Sequence, residues 1–337
     1  MNAFNWRNSN SSTEFLSEEF FLLTSLIEKD NLEGLPENLL KHDSISDYGK
    51  MRRKSFMKYG VHVAVWMSEW SQNIDNYIET AAELGFDGVE ISLLGMSDEK
   101  INHLRKLIEF NNLEVTCTTG LAISDDIASE DSSTRARGIE YLNWAIDTTS
   151  ALGSKLLSGV LYSPWGYFQP GKKLERIERS GDSLCKIEPK LNSSDVTLGL
   201  EAINRFETDL LNTAEEACAF ARLINSPKVG VLLDAFHMNM EEKDIKEALI
   251  KTGDQLVHFH CVENDRGIPG SGHTPWNEIF SGLADIGYDD WLTMEMFIKS
   301  EVEVSPDLNI WRNIENDATD AAKRGLAFLK EKSAGHH

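Results

Sequence analysis

One repeated pattern governs most of this chain. From Met57 onward, short apolar runs alternate with longer stretches of helical periodicity, and this alternation occurs eight times. Strands that alternate with helices form parallel sheets, and eight strand–helix units suit a sheet that closes on itself. We therefore predict the α/β class and a single (β/α)8 TIM barrel. The predicted strands are 60–66, 88–92, 114–118, 155–161, 196–202, 229–234, 256–262 and 291–297.

The predicted helices fill the intervals between these strands, and two of them carry local signals. Gly85 stands where a helix ends in a residue of left-handed conformation. Thr213 and Glu216 have the spacing of a capping box at a helix start. A doubly wound open sheet is the alternative fold, but the first strand is not followed by the Gly-x-Gly-x-x-Gly turn typical of it. The predicted helices are 72–84, 97–111, 132–152, 173–192, 213–225, 241–252, 275–287 and 314–332.

The first part of the chain follows a different pattern. It begins rich in Asn and Ser, contains one amphipathic stretch at 14–29, and continues as a broken polar run. We predict that 1–56 is an N-terminal extension, partly disordered, that 57–332 is the barrel, and that 333–337 is a tail. A barrel of this type needs about 250 residues, which the second segment supplies. Met57 is an alternative start of translation, and the sequence does not decide the role of the extension.

Composition excludes several classes of function. The net charge is −22 and the pI is about 4.8, so nucleic-acid backbones and anionic lipid surfaces are disfavoured as partners. No apolar run reaches the ~20 residues that span a bilayer, and the N-terminus lacks the pattern of a secretion signal. The four cysteines are scattered, without a Cys-x-x-Cys pair, as in a reduced protein. We expect a cytoplasmic protein that binds neither nucleic acid nor membrane.

Acidic and imidazole side chains stand at the ends of the last four predicted strands. Glu201 ends strand five, Asp234 ends strand six, His260 lies in strand seven and Glu295 in strand eight. Barrel enzymes carry their active sites at these carboxyl ends. Burying three carboxylates together without a cation is strongly unfavourable, so the set predicts a divalent metal ion. Its oxygen-rich composition suits Mn2+, Mg2+ or Co2+ better than a structural zinc site.

The same reading gives His258 a structural role. It lies two residues before His260 and so faces the same side of the strand, one layer deeper. We assign it to the barrel core.

Two glutamates beside a metal ion indicate proton transfer next to a polarised carbonyl group. If one glutamate removes a proton from carbon and the other returns one to the opposite face, through a metal-stabilised enediolate, the result is epimerisation. Proton transfer on one face would give aldose–ketose isomerisation instead. The composition of the site does not decide between the two reactions.

Five segments of the chain carry a resemblance to a known family. MKYGVHVAVWMSEW, LEAINRFETDLLNTAEEA, LLDAFHMNMEE, HFHCVENDRGIPGSGHTPW and MEMF follow one another in the order and spacing of that family's functional segments. The chain resembles the ketose 3-epimerases, the group of D-tagatose 3-epimerase and D-allulose (psicose) 3-epimerase within the xylose-isomerase-like TIM barrels. The resemblance extends from Met57 to Leu329.

The resemblance implies a reaction and a set of roles. The reaction is epimerisation at C3 of a free ketose, of the D-allulose/D-fructose or D-tagatose/D-sorbose type, with one divalent metal ion, Mn2+ before Co2+ or Mg2+. Glu201 and Glu295 would be the catalytic pair, and the metal ligands would be Glu201, Asp234, His260 and Glu295. The family is commonly a homodimer or homotetramer. The substrate-binding residues implied are Glu207, His237 and Arg266 at the O1/O2 end, with Trp70, Trp165, Phe297 and His62 around the sugar.

Two departures from the family pattern leave the preferred ketose open. His62 stands where several members carry an aromatic residue, and Met296 stands where proline is common. Three other functions also remain as alternatives. They are an aldose–ketose or hydroxypyruvate-type isomerase on the same barrel, a metal-dependent phosphodiesterase or nuclease, and a barrel that binds without catalysis. The nuclease would need further His and Glu ligands on strands two to four and a basic surface, which the net charge opposes.

Overall fold

The chain forms a closed barrel of eight parallel strands. A computed structural model describes residues 57–335, and its strands follow chain order around the ring until the eighth pairs with the first. The predicted fold class is therefore confirmed. The predicted extension 1–56 and the last two residues of the predicted tail lie outside the described residues. The strands are β1 Lys58–His62, β2 Gly88–Ser92, β3 Glu114–Thr118, β4 Leu156–Gly159, β5 Thr197–Ala202, β6 Val229–Asp234, β7 Leu256–His260 and β8 Trp291–Met294.

Helices connect the strands and cover the outside of the ring. Gly85 ends the first helix with a φ of 85°, as predicted for a left-handed cap. Thr213 and Glu216 form the predicted capping box. In residues 57–335, no helix is long and apolar enough to cross a membrane. The helices are α1 Asp75–Leu84, α2 Asp98–Phe110, α3 Ser132–Leu152, α4 Lys173–Ser193, α5 Ala214–Ile224, α6 Ala235–Glu241, α7 Ile245–Thr252, α8 Trp276–Asp285 and α9 Ala318–Ala334.

The strand register places the polar strand ends beside one another. Asp234, the last residue of β6, is paired with His260, the last residue of β7. His260 is in turn paired with Thr293 of β8, two residues before Glu295. A register shift between Val231 and Leu232 precedes this alignment and lets the ends of β6 and β7 meet. The carboxyl rim of the barrel thus collects side chains from distant parts of the sequence.

Several predicted boundaries differ from the observed ones at this rim. Strand one ends at His62 instead of residue 66, because His62 Nδ1 accepts a hydrogen bond from the Ala64 amide and starts a 3-10 turn. Strand four ends at Gly159, whose φ of 117° leaves the extended conformation. Strands seven and eight also stop earlier than predicted, at His260 and Met294.

The predicted helix 241–252 is wrong in its extent. The structure has two helices in this region, α6 and α7. Asp234 ends its strand and also caps α6, because its side chain accepts a hydrogen bond from the Phe236 amide. The helix therefore begins without an intervening loop. At the end of the chain, Asp317 caps α9, so that helix begins at Ala318 and not at residue 314.

Candidate metal and substrate site

Four side chains converge at the carboxyl ends of β5 to β8. Glu201, Asp234, His260 and Glu295 each offer a ligand atom, and these atoms all lie within 4.8 Å of one another. Asp234 and His260 are fully buried, whereas Glu201 and Glu295 face the pocket above them. These are the four residues that the sequence predicted as metal ligands, and the fold brings them together.

The cluster is electrostatically unfavourable as it stands. Burial raises the pKa of Asp234 to about 7, well above the ordinary value for an aspartate. Burial also raises the pKa of Glu201 well above its usual range, and the charge of Glu295 adds to this effect. Burial acts to lower the pKa of His260, but the charges of Glu90 and Glu295 outweigh it and raise that pKa. The carboxylates therefore need compensating positive charge, from protons or from a cation.

A divalent cation fits the donors that the cluster presents. Asp234 Oδ2 and His260 Nδ1 are buried and have no hydrogen-bond partner among the described residues. Both atoms face the cluster, since His260 Nδ1 lies 3.4 Å from Glu295 Oε2 and 4.0 Å from Asp234 Oδ2. Three carboxylates and one imidazole form the mixed oxygen and nitrogen set that Mn2+ and related ions accept. The residues present thus fit one divalent ion.

A further buried carboxylate, Glu90 of β2, lies on the other side of His260. Its Oε1 is 2.8 Å from His260 Nε2, and its Oε2 is 2.7 Å from His258 Nε2. Thr116 donates a hydrogen bond to the same Oε2. The structure places His258 in the barrel core, fully buried, as the sequence reading assigned it. Sequence reasoning missed Glu90, although a lone Glu in a wholly buried strand is a signal, because buried carboxylates need a partner.

A pocket opens above the cluster. It encloses about 560 Å³ of space, a figure that includes open solvent at its mouth. Every residue that the sequence predicted to bind substrate lines this pocket. These residues are His62, Trp70, Trp165, Glu207, His237, Arg266 and Phe297.

Glu207 and Arg266 form a buried ion pair on one wall of the pocket. Arg266 Nη2 lies 2.8 Å from Glu207 Oε1, and Asn204 Nδ2 donates to the same oxygen at 2.8 Å. Trp165 Nε1 donates to Glu207 Oε2 at 3.2 Å. Burial alone would raise the pKa of Glu207, but the charge of Arg266 and these hydrogen bonds lower it to about 2. The pair is therefore ionised on both sides, and the guanidinium is fixed against the pocket.

His237 is held as a neutral donor on the same wall. Its Nδ1 accepts hydrogen bonds from the backbone amide and the side chain of Asn204, at 3.1 and 2.9 Å. Burial lowers the pKa of His237 to about 4. The proton of the neutral ring therefore stays on Nε2, which lies 3.7 Å from Glu201 Oε1.

Arg266 stands on a strained backbone that Glu263 organises. Arg266 has a φ of 65°, a left-handed conformation that is rare for a residue with a side chain. Glu263 is fully buried and accepts hydrogen bonds from the Gly270 and Thr274 amides and from Trp276 Nε1. The sequence reading identified a turn at 267–272 that positions Arg266, but it missed Glu263 as the residue that organises the turn.

The opposite wall comes from the loops that follow β1 and β8. His62 Nε2 donates to Thr118 Oγ1 at 3.0 Å, and its ring lies 6.0 Å from that of Phe297. Trp70 Nε1 donates to Asp307 Oδ2 at 3.2 Å, which joins the first loop to the last. This side of the pocket is aromatic and presents no carboxylate of the cluster except Glu295.

Comparison with known proteins gives a consistent assignment. The profile of the xylose isomerase-like TIM barrel family matches residues 78–332. The chain is 34% identical to a D-psicose 3-epimerase of Agrobacterium fabrum, over 81% of this chain and 98% of the relative. It is 32% identical to an L-ribulose 3-epimerase of Methylomonas sp., over 82% and 98%. A crystal structure of D-psicose 3-epimerase in the presence of D-fructose superposes with a TM-score of 0.80 at 33% identity, covering 83% of this chain and 100% of the other.

Proposed function

This chain belongs to the xylose isomerase-like TIM barrel family and to its ketose 3-epimerases, so it is an isomerase, and we propose that it inverts carbon 3 of a free ketose. The names of its relatives support the reaction. The observation that carries the proposal is the meeting of Glu201 and Glu295 in one buried cluster at the floor of a pocket.

Glu201 and Glu295 are the proposed proton carriers. They belong to β5 and to the segment after β8, so they reach the floor of the pocket from different sides of the ring. A ketose held between them would present opposite faces of C3 to the two carboxylates. One carboxylate removes the proton from C3, and the other supplies a proton to the opposite face. The configuration at C3 is thereby inverted.

The same cluster would hold one divalent metal ion, Mn2+ or alternatively Co2+ or Mg2+. Its proposed ligands are Glu201, Asp234, His260 and Glu295. When bound, such an ion acts as a Lewis acid that polarises the ketone group and stabilises the negative charge left by proton removal. The excess of buried carboxylates over buried cations supports the presence of this ion.

The ion pair of Glu207 and Arg266 would bind the O1/O2 end of the ketose, together with His237. Arg266 offers a fixed fork of donors, and the neutral ring of His237 offers its Nε2 proton. Arg266 is the one Lys or Arg side chain among the described residues that line the pocket, and Glu207 already neutralises it. A phosphate group would therefore lack a partner, which favours a free sugar over a sugar phosphate.

Trp70, Trp165, Phe297 and His62 would surround the rest of the sugar. Three of them carry a polar atom with a partner already assigned within the protein, namely Asp307 for Trp70, Glu207 for Trp165 and Thr118 for His62. These side chains therefore offer ring faces to the sugar and not free donors. Aromatic faces pack against the apolar C–H surface of a sugar and exclude water from the reacting carbon.

Isotope exchange tests the proposed reaction. The metal-loaded protein is incubated in heavy water with D-fructose, D-tagatose, D-allulose and L-ribulose, and NMR follows the product and the position of deuterium. We expect deuterium at C3 together with the C3 epimer. Exchange at C1 with formation of an aldose would show an aldose–ketose isomerase instead. No exchange with Mn2+, Mg2+ or Co2+ would exclude free ketoses as substrates.

A further inference from the structure

Glu90 is a fully buried carboxylate that the proposed reaction does not use. It lies in β2, on the side of the barrel opposite the strands that carry the metal cluster. Three side chains nevertheless reach it, from β3 and β7. Thr116 Oγ1 is 2.8 Å from Oε2, His258 Nε2 is 2.7 Å from the same atom, and His260 Nε2 is 2.8 Å from Oε1. A charged group this deep, held by three contacts, requires an explanation.

The contacts decide which nitrogen of His260 carries its proton. Glu90 Oε1 lies 2.8 Å from His260 Nε2, and a lone pair on that nitrogen would be repelled by the carboxylate at this distance, so Nε2 is the protonated nitrogen. The lone pair of a neutral His260 ring is then on Nδ1. That atom lies 3.4 Å from Glu295 Oε2 and 4.0 Å from Asp234 Oδ2, inside the proposed metal cluster.

The group of Glu90, His258 and His260 does not fit a second metal ion. Two ligand atoms of a tetrahedral zinc site, each about 2.1 Å from the ion, lie about 3.4 Å apart. The contacts of Glu90 with the two imidazoles are shorter, at 2.7 and 2.8 Å. The Thr116 hydroxyl also donates into the same carboxylate. The contact with His258 is a hydrogen bond, and the contact with His260 has the distance of a close ion pair.

We propose that Glu90 is a positioning residue that fixes the ring and the tautomer of His260, so that Nδ1 is presented to the metal ion. His258 and Thr116 hold the Glu90 carboxylate in the required orientation from its other oxygen. A carboxylate behind a ligating histidine also makes the ring a stronger donor, and loss of such a partner typically weakens metal binding about 10- to 100-fold. This inference rests on the proposed function, because it requires a divalent ion in the cluster.

The test replaces Glu90 by glutamine and measures metal binding directly. The full-length E90Q protein and the wild type are titrated with Mn2+ by calorimetry and with Co2+ by visible absorption. The amide keeps the shape of the side chain but offers only one acceptor oxygen, whereas each imidazole now faces a carboxylate oxygen. We expect metal affinity about 10- to 100-fold weaker than that of the wild type. We also expect an altered Co2+ spectrum, because the His260 ligand changes its orientation.

Glu263→Gln is the matched control. Glu263 is also a fully buried carboxylate with several donors, but it contacts none of the four proposed ligands. We expect E263Q to lower the unfolding temperature while its Mn2+ affinity and Co2+ spectrum stay as in the wild type. If E263Q weakens metal binding as much as E90Q does, the effect of E90Q is general destabilisation and the inference is overturned.

Two further outcomes keep the inference separate from the proposed function. Wild-type metal affinity in E90Q overturns the inference and leaves the proposed function intact, whereas a wild-type protein that binds no divalent ion overturns both. If E90Q does not fold, Glu90→Asp replaces it, because it keeps the charge but shortens the reach toward His260. Weakened Mn2+ affinity in a folded E90D supports the inference, and unchanged affinity overturns it.

Discussion

The two halves of the barrel rim differ in chemistry. The ends of β5 to β8 supply Glu201, Asp234, His260 and Glu295, an anionic cluster around one imidazole. The ends of β1 to β4 supply His62, Ser92, Thr118 and Gly159 to the same pocket, with no carboxylate among them.

Burial lowers the pKa of His62, so this ring too is neutral at the pH of the cell. The second half of the rim therefore holds the groups for the proposed reaction, and the first half shapes the space for the rest of the sugar. Glu90 is the exception, because it comes from β2 but contacts the cluster from below. Substitutions in the two halves should thus differ in their effects on kcat, on the preference among ketoses and on metal affinity.

The largest effect is expected for the two glutamates of the second half. Glu201→Gln or Glu295→Gln removes a side chain that is both a proposed proton carrier and a proposed metal ligand, so turnover should fall by about 10²- to 10⁴-fold. Steady-state kcat with D-fructose or D-allulose checks this, with metal content measured in parallel. Glu69→Gln, an exposed glutamate in the loop after β1, is the matched control and should keep its kcat. Activity like that of the wild type in either variant of the cluster would refute the proposed roles.

A smaller and selective effect is expected in the first half. His62→Phe removes the hydrogen bonds to Thr118 and to the Ala64 amide but keeps a ring against Phe297. We expect the ratio of kcat/KM between two ketoses to change about 10-fold, the size of a modest change in pocket contacts. The Mn2+ affinity should not change. An equal loss of kcat/KM with all ketoses, accompanied by weaker Mn2+ binding, would show that the two halves of the rim do not have separate roles.

A pH-dependent effect on stability should distinguish the cluster from the rest of the protein. The pKa of Asp234 is raised from 3.8 to about 7 in the folded protein without metal. Between these values the folded state binds more protons than the unfolded state, so metal-free stability falls as the pH rises, on the order of a few kcal/mol. A bound cation offsets this loss above pH 7.

Thermal unfolding measures the pH effect. The rise in unfolding temperature on replacing a chelator by Mn2+ should be larger at pH 8 than at pH 5. Asp234→Asn should reduce the pH dependence in this window, which Glu201 also contributes to, and should lose most of the response to metal. A metal response of equal size at both pH values would contradict the assignment.

The smallest effect is expected for removal of residues 1–56. All eight strands and nine helices described for residues 57–335 lie between Lys58 and Ala334. A chain that starts at Met57 should therefore fold, keep its kcat, and unfold within about 2 °C of the full-length protein, a change of about 1 kcal/mol. Aggregation or the absence of a cooperative thermal transition would show that the first segment belongs to the barrel.

Sequence periodicity predicted the fold because buried strands and amphipathic helices leave local patterns. The bounds of β2, β3 and β6 are the predicted ones, and a charged residue marks the start of each run, namely Asp87, Glu114 and Lys228. The region of α6 and α7 was predicted wrongly because α6 follows β6 directly, without a loop. Asp234 serves as the end of a strand, a cap and a member of the cluster, so no linking residues mark the start of α6.

The convergence of the candidate site residues was predictable where they stand at strand ends and unpredictable where they act through contacts across the barrel. The four proposed metal ligands lie at the ends of apolar runs, so they can be recognised from the sequence. They are Glu201, Asp234, His260 and Glu295. Glu90 lies inside its strand, and its partner His258 is 168 residues away in the chain. Glu263 likewise accepts hydrogen bonds from backbone amides of a loop, and no local sequence pattern predicts the path of that loop.

The closure of the ring by β8 has a consequence for how the protein is made. Glu295 follows the last strand, which pairs with both β7 and β1. A chain emerging during synthesis thus lacks one ligand of the proposed cluster until nearly all of the barrel has been produced, and it acquires that ligand in the step that joins the two ends of the sheet. Tight binding of a divalent ion would therefore require a completed barrel. Metal binding followed during refolding would then report when β8 docks between β7 and β1.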